Sequence, residues 1–272
     1  MMLKLFNKKA FMLYFLFVCL IASSSLHAQN TFCGIENKAI NPGEKLTFKV
    51  YYNVSALWVG AGEAIFTTRE TKYEGRDAYH IVGTGSTYKS YDWFFKVRDR
   101  YETYIDKERL LPLRFLRDVN EGGYSFTNDV RFDHNLNKAK SKGKEFKTPA
   151  CVQDVLSAIY YARNIDYSKY KVGSRIPFSL FLDDEVFFLH IRYLGKEKIK
   201  TKYGTFNAIK IAPLLIEGTI FKGGDEMMVW VSDDENKIPL RVDSPILVGS
   251  IKVDMIAYEN LAFPLTSLIN KR

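Results

Sequence analysis

The sequence predicts a fold dominated by β-strands, an antiparallel twisted sheet or barrel-like lobes, with one amphipathic helix near the middle of the chain. Apolar and polar residues alternate with a period of two in many short segments, which is the pattern of half-buried strands. Clusters of Gly, Asn, Asp and Glu separate these segments and are typical of tight turns. Only one segment has helical spacing, so the strand–helix alternation of a parallel α/β fold is not expected.

The strand pattern is clearest in Lys45–Tyr52, where the even positions are apolar and the odd positions are mainly polar. The same alternation recurs in four later segments, at residues 129–133, 208–211, 240–243 and 250–255. Turn residues separate such segments at 73–77, 120–123, 182–185, 222–225 and 232–236. Many short strands joined by tight turns are typical of an antiparallel β protein.

The one predicted helix follows Thr148 and Pro149, a capping residue and a proline suited to the first helical position. The helix extends to Arg163, about three turns. One face is predicted to carry the apolar residues Val152, Val155, Leu156 and Ile159. This face is expected to pack against the sheet or to close one end of a barrel.

The first 28 residues have a basic start, the apolar stretch Phe11–Ala22 and a short polar stretch that ends at Ala28. This order is typical of a secretory signal peptide, with cleavage expected after Ala28 or within a few residues of it. Neither Cys19 nor Cys33 follows the small residues that lipid attachment requires, and the apolar stretch is too short to span a bilayer. The sequence therefore predicts export to the periplasm and no integral membrane span.

The remaining residues, 29–272, contain no linker rich in Pro, Gly or Ser and are predicted to form a single β-rich domain. Because the helix lies near the middle of this domain, two sub-lobes over residues 40–147 and 170–261 are an alternative description. Their relative arrangement, one barrel or two lobes, stays open at this point.

The full chain carries a net charge of +8, and removal of residues 1–28 takes away three lysines and no acid, which leaves +5. The basic residues occur in dispersed runs such as 138–144 and 196–202. Runs of this kind are typical of solvated hairpin ends, and contact with anionic phosphate or sugar groups at a membrane surface is the alternative. A nucleic acid partner is not expected for an exported chain without a recognition motif.

Two cysteines, Cys33 and Cys151, remain after removal of the signal peptide. In an oxidising compartment such a pair predicts one disulfide bond. Neither cysteine has a nearby Cys or His, so the sequence predicts no metal site, and it contains no cofactor motif.

No zincin motif, nucleophile elbow or Gly-rich phosphate loop occurs in the sequence, and we therefore expect a protein that is not an enzyme. Ser157 is interpreted as a capping or packing serine. Carboxylates are the remaining alternative, because two acids that meet in the fold could hydrolyse an envelope polymer. The acids considered for such a pair are Asp92, Asp99, Glu102, Asp154, Asp183 and Glu217.

The segment 88–101 is unusual because aromatic and charged residues are concentrated in it. One interpretation is an aromatic edge of the core with surface ion pairs. The other is an aromatic-lined mouth for an amphipathic ligand, in which Arg98 or Arg100 holds an anionic head group. The candidate lining residues are Trp58, Tyr91, Trp93, Phe95 and Trp230.

Several short motifs follow one another in an order that resembles one family. They are Gly43–Leu46, 61–63, 91–93 with 97–99, 121–124, 154–158 with Tyr160, Tyr161 and Arg163, and 229–234 with 238–240. These motifs resemble domain of unknown function 3108, a family of exported proteins of Gram-negative bacteria. The resemblance covers nearly the whole mature chain and implies export and a β-rich fold. It implies no activity, so no catalytic residue is transferred.

A fainter resemblance concerns periplasmic lipoprotein carriers, whose half-barrel sheets contain a Trp-x-x-Asp hairpin followed by a strand with proline. Trp230–Asp233 and Ile238–Leu240 are similar to that hairpin. A single hairpin implies an analogy of fold and not of function.

Three functions from different classes follow from these observations. The first is a binding or carrier protein that holds an amphipathic or lipidic ligand, a lipid or a glycan, in an aromatic-lined cavity. The second is a structural partner of an envelope protein, which would show an exposed apolar patch or a paired edge strand instead of a cavity. The third is a hydrolase with paired acids. A filled barrel without any ligand is the alternative to the first.

Overall fold

The computed structural model describes residues 33–54, 57–93, 95–216, 223–246 and 249–271. This part of the chain contains one α-helix, α1 (Val155–Ala162), and two single turns of 3-10 helix at Lys89–Tyr91 and Tyr167–Lys169. Its strands are β1 (Lys45–Val54), β2 (Leu57–Tyr73), β3 (Arg76–Thr87), β4 (Arg98–Asp106), β5 (Pro112–Glu121), β6 (Tyr124–Asp133), β7 (Lys138–Ser141), β8 (Lys144–Lys147), β9 (Arg175–Leu182), β10 (Glu185–Lys200), β11 (Gly204–Pro213), β12 (Met228–Ser232), β13 (Pro239–Pro245), β14 (Ser250–Glu259) and β15 (Leu268–Lys271).

All of these strands belong to one antiparallel sheet, in the spatial order β8-β7-β6-β5-β4-β3-β2-β1-β14-β13-β12-β11-β10-β9, with β15 beside β11. Two meanders, β1–β8 and β9–β14, make up the sheet and join where β1 pairs with β14, for example Lys45 opposite Glu259. The predicted antiparallel β fold with one helix is confirmed. The segments 40–147 and 170–261 correspond to the two meanders of one continuous sheet.

The sheet is not closed into a barrel, because its end strands β8 and β9 do not pair with each other in the described chain. Side chains connect the two edge strands instead. The ring centroids of Phe146 in β8 and Phe181 in β9 are 5.5 Å apart. Arg117 of β5 also donates a hydrogen bond to Asp183 in the β9–β10 turn. The sheet therefore curves far enough that side chains near its two edges are in contact.

Helix α1 begins later than the sequence predicts, because Asp154 and not Thr148 is its N-cap. The Asp154 carboxylate accepts a hydrogen bond from the Ser157 N–H at 2.8 Å, and the Ser157 hydroxyl accepts one from the Asp154 N–H at 2.8 Å. This reciprocal capping box satisfies two N–H groups at the start of the helix. The interpretation of Ser157 as a capping serine is therefore confirmed.

The segment before α1 is held in a non-helical conformation by two contacts. Cys151 has a φ of 57°, in the left-handed region, and forms a disulfide with Cys33 at a Cα–Cα distance of 5.5 Å. Gln153 pairs in parallel with Leu180 of β9. The predicted helix start at Pro149 is therefore wrong, whereas the predicted disulfide is confirmed. Val152 is buried outside the helix and Ile159 is 38% exposed, so the prediction that these two residues belong to the apolar face of the helix is wrong. Val155 and Leu156 do pack in the core.

Helix α1 packs on the concave face of the sheet. A Cβ atom added at Gly83 of β3 would lie 3.5 Å from Leu156, and Thr68 of β2 donates a hydrogen bond to the Tyr160 hydroxyl at 3.4 Å. The largest fully buried side chains are Tyr160, Tyr161 and Tyr167, all in or near this helix. The helix region thus fills much of the space that the curled sheet surrounds.

Within the described residues, no helix combines the length and the hydropathy that a membrane-spanning helix needs. The predicted signal peptide, residues 1–28, lies outside the described residues.

Candidate functional site

A candidate site lies where β3 connects to β4, through residues 88–97, which we call the 88–97 loop. Residue 94 of this loop lies outside the described residues. Thr87, the last residue of β3, organises both ends of the loop. Its hydroxyl accepts a hydrogen bond from the Val97 N–H at 3.1 Å and donates one to the Asp92 carboxylate at 3.1 Å. The loop is therefore tied to the end of the strand from which it starts.

Arg98 completes the hydrogen-bond network of the loop. Its Nη2 donates to the Asp92 carboxylate at 2.7 Å, and its Nη1 donates to the backbone carbonyls of Thr87 at 3.1 Å and Val97 at 2.6 Å. The sequence predicts Arg98 as an anchor for an anionic head group. In the structure its charge is already compensated by Asp92, so Arg98 acts as a positioning residue for the loop.

Arg100, the other predicted anchor, is also paired with a carboxylate. Its Nε donates to Glu102 at 2.7 Å, and the second oxygen of Glu102 lies 2.7 Å from Nε2 of His80. His80 Nδ1 accepts a hydrogen bond from Arg69 at 2.8 Å, so Nε2 carries the ring hydrogen. Burial lowers the pKa of His80. Because both ring nitrogens are occupied, His80 has none free to take a proton from a substrate.

Two aromatic side chains of the 88–97 loop are exposed to solvent. Trp93 is 84% exposed and Phe95 is 43% exposed, while Tyr91 is partly buried. The Phe95 ring lies over Gly122 in the β5–β6 turn, where a Cβ atom would come within 2.4 Å of the ring. Gly122 also has a φ of 57°. A glycine is therefore required there both for the turn and for the position of Phe95.

Exposed aromatic side chains from three other strands lie at the same end of the sheet as the 88–97 loop. Trp58 is close to the β1–β2 connection, Tyr124 follows the β5–β6 turn, and Phe188 is near the start of β10. In an antiparallel sheet, all of these connections fall on one end. Five of the nine large exposed hydrophobic side chains in the described chain lie at this end, and we call it the aromatic end: Trp58, Trp93, Phe95, Tyr124 and Phe188.

Trp230 is separate from this group and is a core residue. It is 9% exposed and packs in a cluster with Phe48, Phe206 and Leu240. Its indole N–H donates to Glu197 at 2.6 Å. The structure therefore corrects the placement of Trp230 as a ligand-lining residue. The candidate lining residues do not meet around one enclosed cavity, because four of them are at the aromatic end and Trp230 is in the core.

The structure brings together a carboxyl pair, Asp99 in β4 and Glu121 at the end of β5. The pairing of Val97 with Glu121 places the two strands in register here, and the two carboxyl groups are hydrogen-bonded. Burial and then this hydrogen bond raise the pKa of Glu121 to about 7, and burial raises the pKa of Asp99. Sequence reasoning included Asp99 among candidate acids but missed Glu121, because only the strand register identifies it.

The other candidate acids in the described chain have structural partners. Asp154 caps α1 and accepts a hydrogen bond from the Thr103 hydroxyl at 2.6 Å, and burial raises its pKa to about 6. Asp183 pairs with Arg117, and the pairs made by Asp92 and Glu102 are described above. Glu217 lies outside the described residues. Of the acids considered from the sequence, Asp99 is thus the one with a carboxyl partner.

A groove of about 420 Å³ lies at the opposite end of the sheet, next to the β10–β11 turn. It is lined by Lys202, Tyr203, Ile256, Ala257, Tyr258 and Lys271. The Lys271 ammonium is 5.1 Å from the centroid of the Tyr203 ring. None of the residues predicted from the sequence as site residues lines this groove.

Metal ligands do not cluster in the residues that the structure describes, where no group of three or more His, Cys, Asp or Glu side chains is placed to hold an ion.

A protein-family model described as "Protein of unknown function (DUF3108)" matches residues 47–256. The chain belongs to this family. The match covers most of the sequence and agrees with the family that the sequence motifs indicate. No curated protein is similar to the chain at a significant level.

Two solved structures are similar to the DUF3108 chain to different degrees. The beta-barrel-like protein of domain of unknown function DUF1849 from Brucella abortus has a TM-score of 0.55 and 11% sequence identity, over 82% of this chain and 99% of that chain. A protein with a YmcC-like fold from Bacteroides fragilis NCTC 9343 has a TM-score of 0.32 and 10% identity, over 81% of this chain and 97% of that one. At such identities, the Brucella structure supports the fold alone.

Several motif residues that carry the resemblance to DUF3108 stabilise the fold. The guanidinium of Arg163 donates to both oxygens of Glu44 at 2.6 and 2.7 Å, and both side chains are buried. Arg163 also donates to the backbone carbonyls of Ala39 at 2.9 Å and Asn236 at 3.0 Å. This one side chain therefore joins the end of α1 to the start of β1 and to the β12–β13 turn.

Proposed function

We propose that this chain is an exported periplasmic protein that binds an amphipathic component of the cell envelope at its aromatic end and has no catalytic activity. The observation that carries the proposal is the concentration of exposed aromatic side chains at one end of the sheet. Apolar side chains grouped on a surface are typical of interaction sites. The bound component is a lipid or a glycan in this proposal.

Export is supported by the signal-peptide pattern of residues 1–28 and by the disulfide between Cys33 and Cys151. Cysteine pairs of this kind persist in oxidising compartments, and the periplasm is such a compartment. The two observations are independent, because the first depends on the N-terminal segment and the second on the folded domain.

The packed interior of the protein agrees better with binding at an open surface than with a carrier cavity. Tyr160, Tyr161 and Tyr167 are fully buried between the helix region and the sheet, where a cavity for a lipid chain would have to lie. Trp230 is likewise packed in a core cluster. The proposed ligand is still an amphipathic lipid or glycan, as for a carrier. It lies against the exposed aromatic rings and is not enclosed in a cavity.

Assembly with an envelope protein is the second candidate function. The same exposed surface supports it, since aromatic residues are enriched at the centres of protein interfaces. The two candidates differ in what lies against Trp93 in the cell.

Photocrosslinking in the cell tests the proposed function. A photoreactive amino acid replaces Trp93, and the control position is Leu136, which is 65% exposed in the β6–β7 turn at the other end of the sheet. We expect a crosslinked lipid or glycan at position 93 and none at position 136. A crosslink to one envelope protein at position 93 would support the second candidate instead. Equal products at both positions, or none at either, would contradict both.

A further inference from the structure

We infer that the aromatic end binds the surface of an anionic phospholipid bilayer, with Lys89 and Lys96 against the lipid phosphates and Trp93 and Phe95 at the boundary between head groups and acyl chains. The inference rests on the proposed function and names the amphipathic component. It assigns the anionic contacts to two lysines that the sequence reasoning did not select, in place of Arg98 and Arg100.

The first observation that supports an anionic partner is the charge of the 88–97 loop. Lys89 and Lys96 are both exposed, and neither forms an ion pair with a carboxylate in the described part of the chain. Asp92, the one acid of the loop, is compensated by Arg98 at 2.7 Å. The loop therefore presents two uncompensated positive charges beside two exposed aromatic rings. Basic side chains next to Trp and Phe are the combination that binds anionic membrane interfaces.

Several acids near the loop have partners other than Lys89 and Lys96. Asp183 is paired with Arg117, and Asp184 lies 3.8 Å from the Lys142 ammonium. The Asp99 carboxyl is hydrogen-bonded to Glu121, and such a pair holds a proton more readily than an isolated acid does. Asp183 and Asp184 are therefore compensated within the protein, and a proton held by the Asp99–Glu121 pair removes part of the charge of that pair. Lys89 and Lys96, in contrast, form no ion pair with a carboxylate among the described residues.

Hydrogen bonds and packing hold the described residues of the loop on both sides of residue 94. Thr87, Asp92 and Arg98 form a closed set of hydrogen bonds at its two ends, and Phe95 lies against Gly122 of the neighbouring turn. Side chains and backbone that are already held in place lose little conformational entropy on binding. An exposed tryptophan on such a loop is therefore suited to insert at an interface.

The distribution of the exposed rings favours an extended partner. Trp58, Trp93, Tyr124 and Phe188 are carried by different connections or strand ends at the same end of the sheet. The Lys252 ammonium lies 4.2 Å from the centroid of the Trp58 ring, so a basic group also accompanies this second tryptophan. A bilayer surface is extended enough to contact several of these side chains together, and aromatic residues prefer its interfacial region.

Vesicle flotation with the folded, disulfide-bonded mature chain tests the inference. The probes are vesicles of phosphatidylcholine alone and vesicles with about 30% phosphatidylglycerol, enough charge to give a negative surface potential. We expect binding to the anionic vesicles, weaker binding to the neutral ones and a loss of binding as salt is added. Equal binding to both compositions, or no binding to either, would overturn the inference.

Matched variants test the named residues. Lys89→Gln with Lys96→Gln should weaken binding to anionic vesicles about tenfold or more, since each lysine near the surface contributes. Lys198→Gln with Lys200→Gln removes the same charge from exposed positions near the other end of β10 and should leave binding within about twofold. Equal losses in the two double variants would mean that net charge alone drives binding and would contradict the assignment to the loop.

Trp93→Ala should weaken binding to anionic vesicles severalfold, and Leu136→Ala is the control for loss of an exposed apolar side chain elsewhere. Circular dichroism of each variant shows whether it is folded, so that loss of structure is not taken for loss of binding. Unchanged binding of folded Trp93→Ala would overturn the placement of this residue in the bilayer interface.

Vesicle binding and crosslinking together distinguish a failure of the bilayer inference from a failure of the proposed function. If vesicles do not bind but position 93 still crosslinks to a glycan in the cell, the proposed function stands and the bilayer inference is wrong. If neither vesicles nor crosslinks are found, both are wrong.

Discussion

The carboxyl groups of Asp99 and Glu121 are hydrogen-bonded to each other across neighbouring strands of the sheet. Full ionisation would place two negative charges side by side in a partly buried position. Burial, together with the neighbouring carboxyl, raises the pKa of Glu121 to about 7. The pair therefore retains a proton at pH values where exposed acids have lost theirs.

This pair should make the free energy of unfolding depend on pH. A group with a higher pKa in the folded state stabilises that state while it is protonated. For Glu121 the stabilisation is complete below its ordinary pKa of 4.5 and is lost as the pH rises through about 7. Glu121→Gln keeps a hydrogen-bond partner for Asp99 and cannot ionise. We expect this variant to gain on the order of 1 kcal/mol over the wild type from about pH 5 to pH 8, with solvent screening included.

Urea unfolding of both proteins at several pH values measures this difference. Other groups with raised pKa values, such as the buried Asp154, are present in both proteins and cancel in the comparison. A difference in stability that is the same at both ends of the pH range would contradict the shared proton.

The buried ion pair of Arg163 and Glu44 should be essential for stability. Arg163→Met leaves the Glu44 carboxylate buried without its partner, and we expect a loss of about 3 to 5 kcal/mol in the free energy of unfolding. The double variant Arg163→Met with Glu44→Gln should lose less than the sum of the single variants, because the uncompensated charge is gone. Arg100→Met, at an exposed pair, is the control and should lose less than about 1 kcal/mol. Additive losses in the double variant would speak against a direct pairing.

Truncation of Trp230 should lower the free energy of unfolding much more than truncation of Trp93. Trp230→Ala opens a cavity in a core cluster and removes the hydrogen bond to Glu197, so we expect a loss of about 3 to 5 kcal/mol. Trp93→Ala removes a side chain that is 84% exposed and should change stability by no more than about 0.5 kcal/mol. Denaturant unfolding followed by far-ultraviolet circular dichroism makes the comparison without relying on tryptophan emission. A large loss for Trp93→Ala would show that its ring is part of the core.

The disulfide between Cys33 and Cys151 should stabilise the mature protein by constraining its unfolded chain. The two residues are 118 positions apart, and for a loop of this size the chain-entropy model gives about 4 to 5 kcal/mol. Cys33→Ser with Cys151→Ser should lower the midpoint of urea unfolding accordingly. Alkylation of the denatured mature chain should label no thiol before reduction and two after it. Two labelled thiols without reduction would refute the bond.

Local patterns in the sequence were sufficient for most of the fold. The period-two alternation at Lys45–Tyr52 corresponds to β1, and the turn residues at 182–185 separate β9 from β10. The helix start was missed because residues 149–153 look suitable for a helix in isolation. The disulfide at Cys151 and the pairing of Gln153 with β9 override that preference, and both are long-range contacts.

The site residues were harder to predict, for reasons that differ between them. Trp230 lies between Val229 and Val231, so the apolar run has no alternation that would assign its side chain to the core or to a cavity. Arg98 and Asp92 are close enough in sequence that their pairing could have been considered. Glu121 is brought to Asp99 by strand register, which a single sequence does not contain.

The junction between β1 and β14 has a consequence for the order in which the sheet assembles. Strand β1 begins at Lys45, and its partner residue Glu259 is synthesised much later in the chain. Until then the first meander can assemble, but β1 remains an uncovered edge with its backbone N–H and C=O groups available to other chains. The final pairing also spans nearly the whole polypeptide, which makes it a slow step. The interval between the synthesis of β1 and that of β14 is therefore the stage at which the open edge of β1 is available for pairing with other chains.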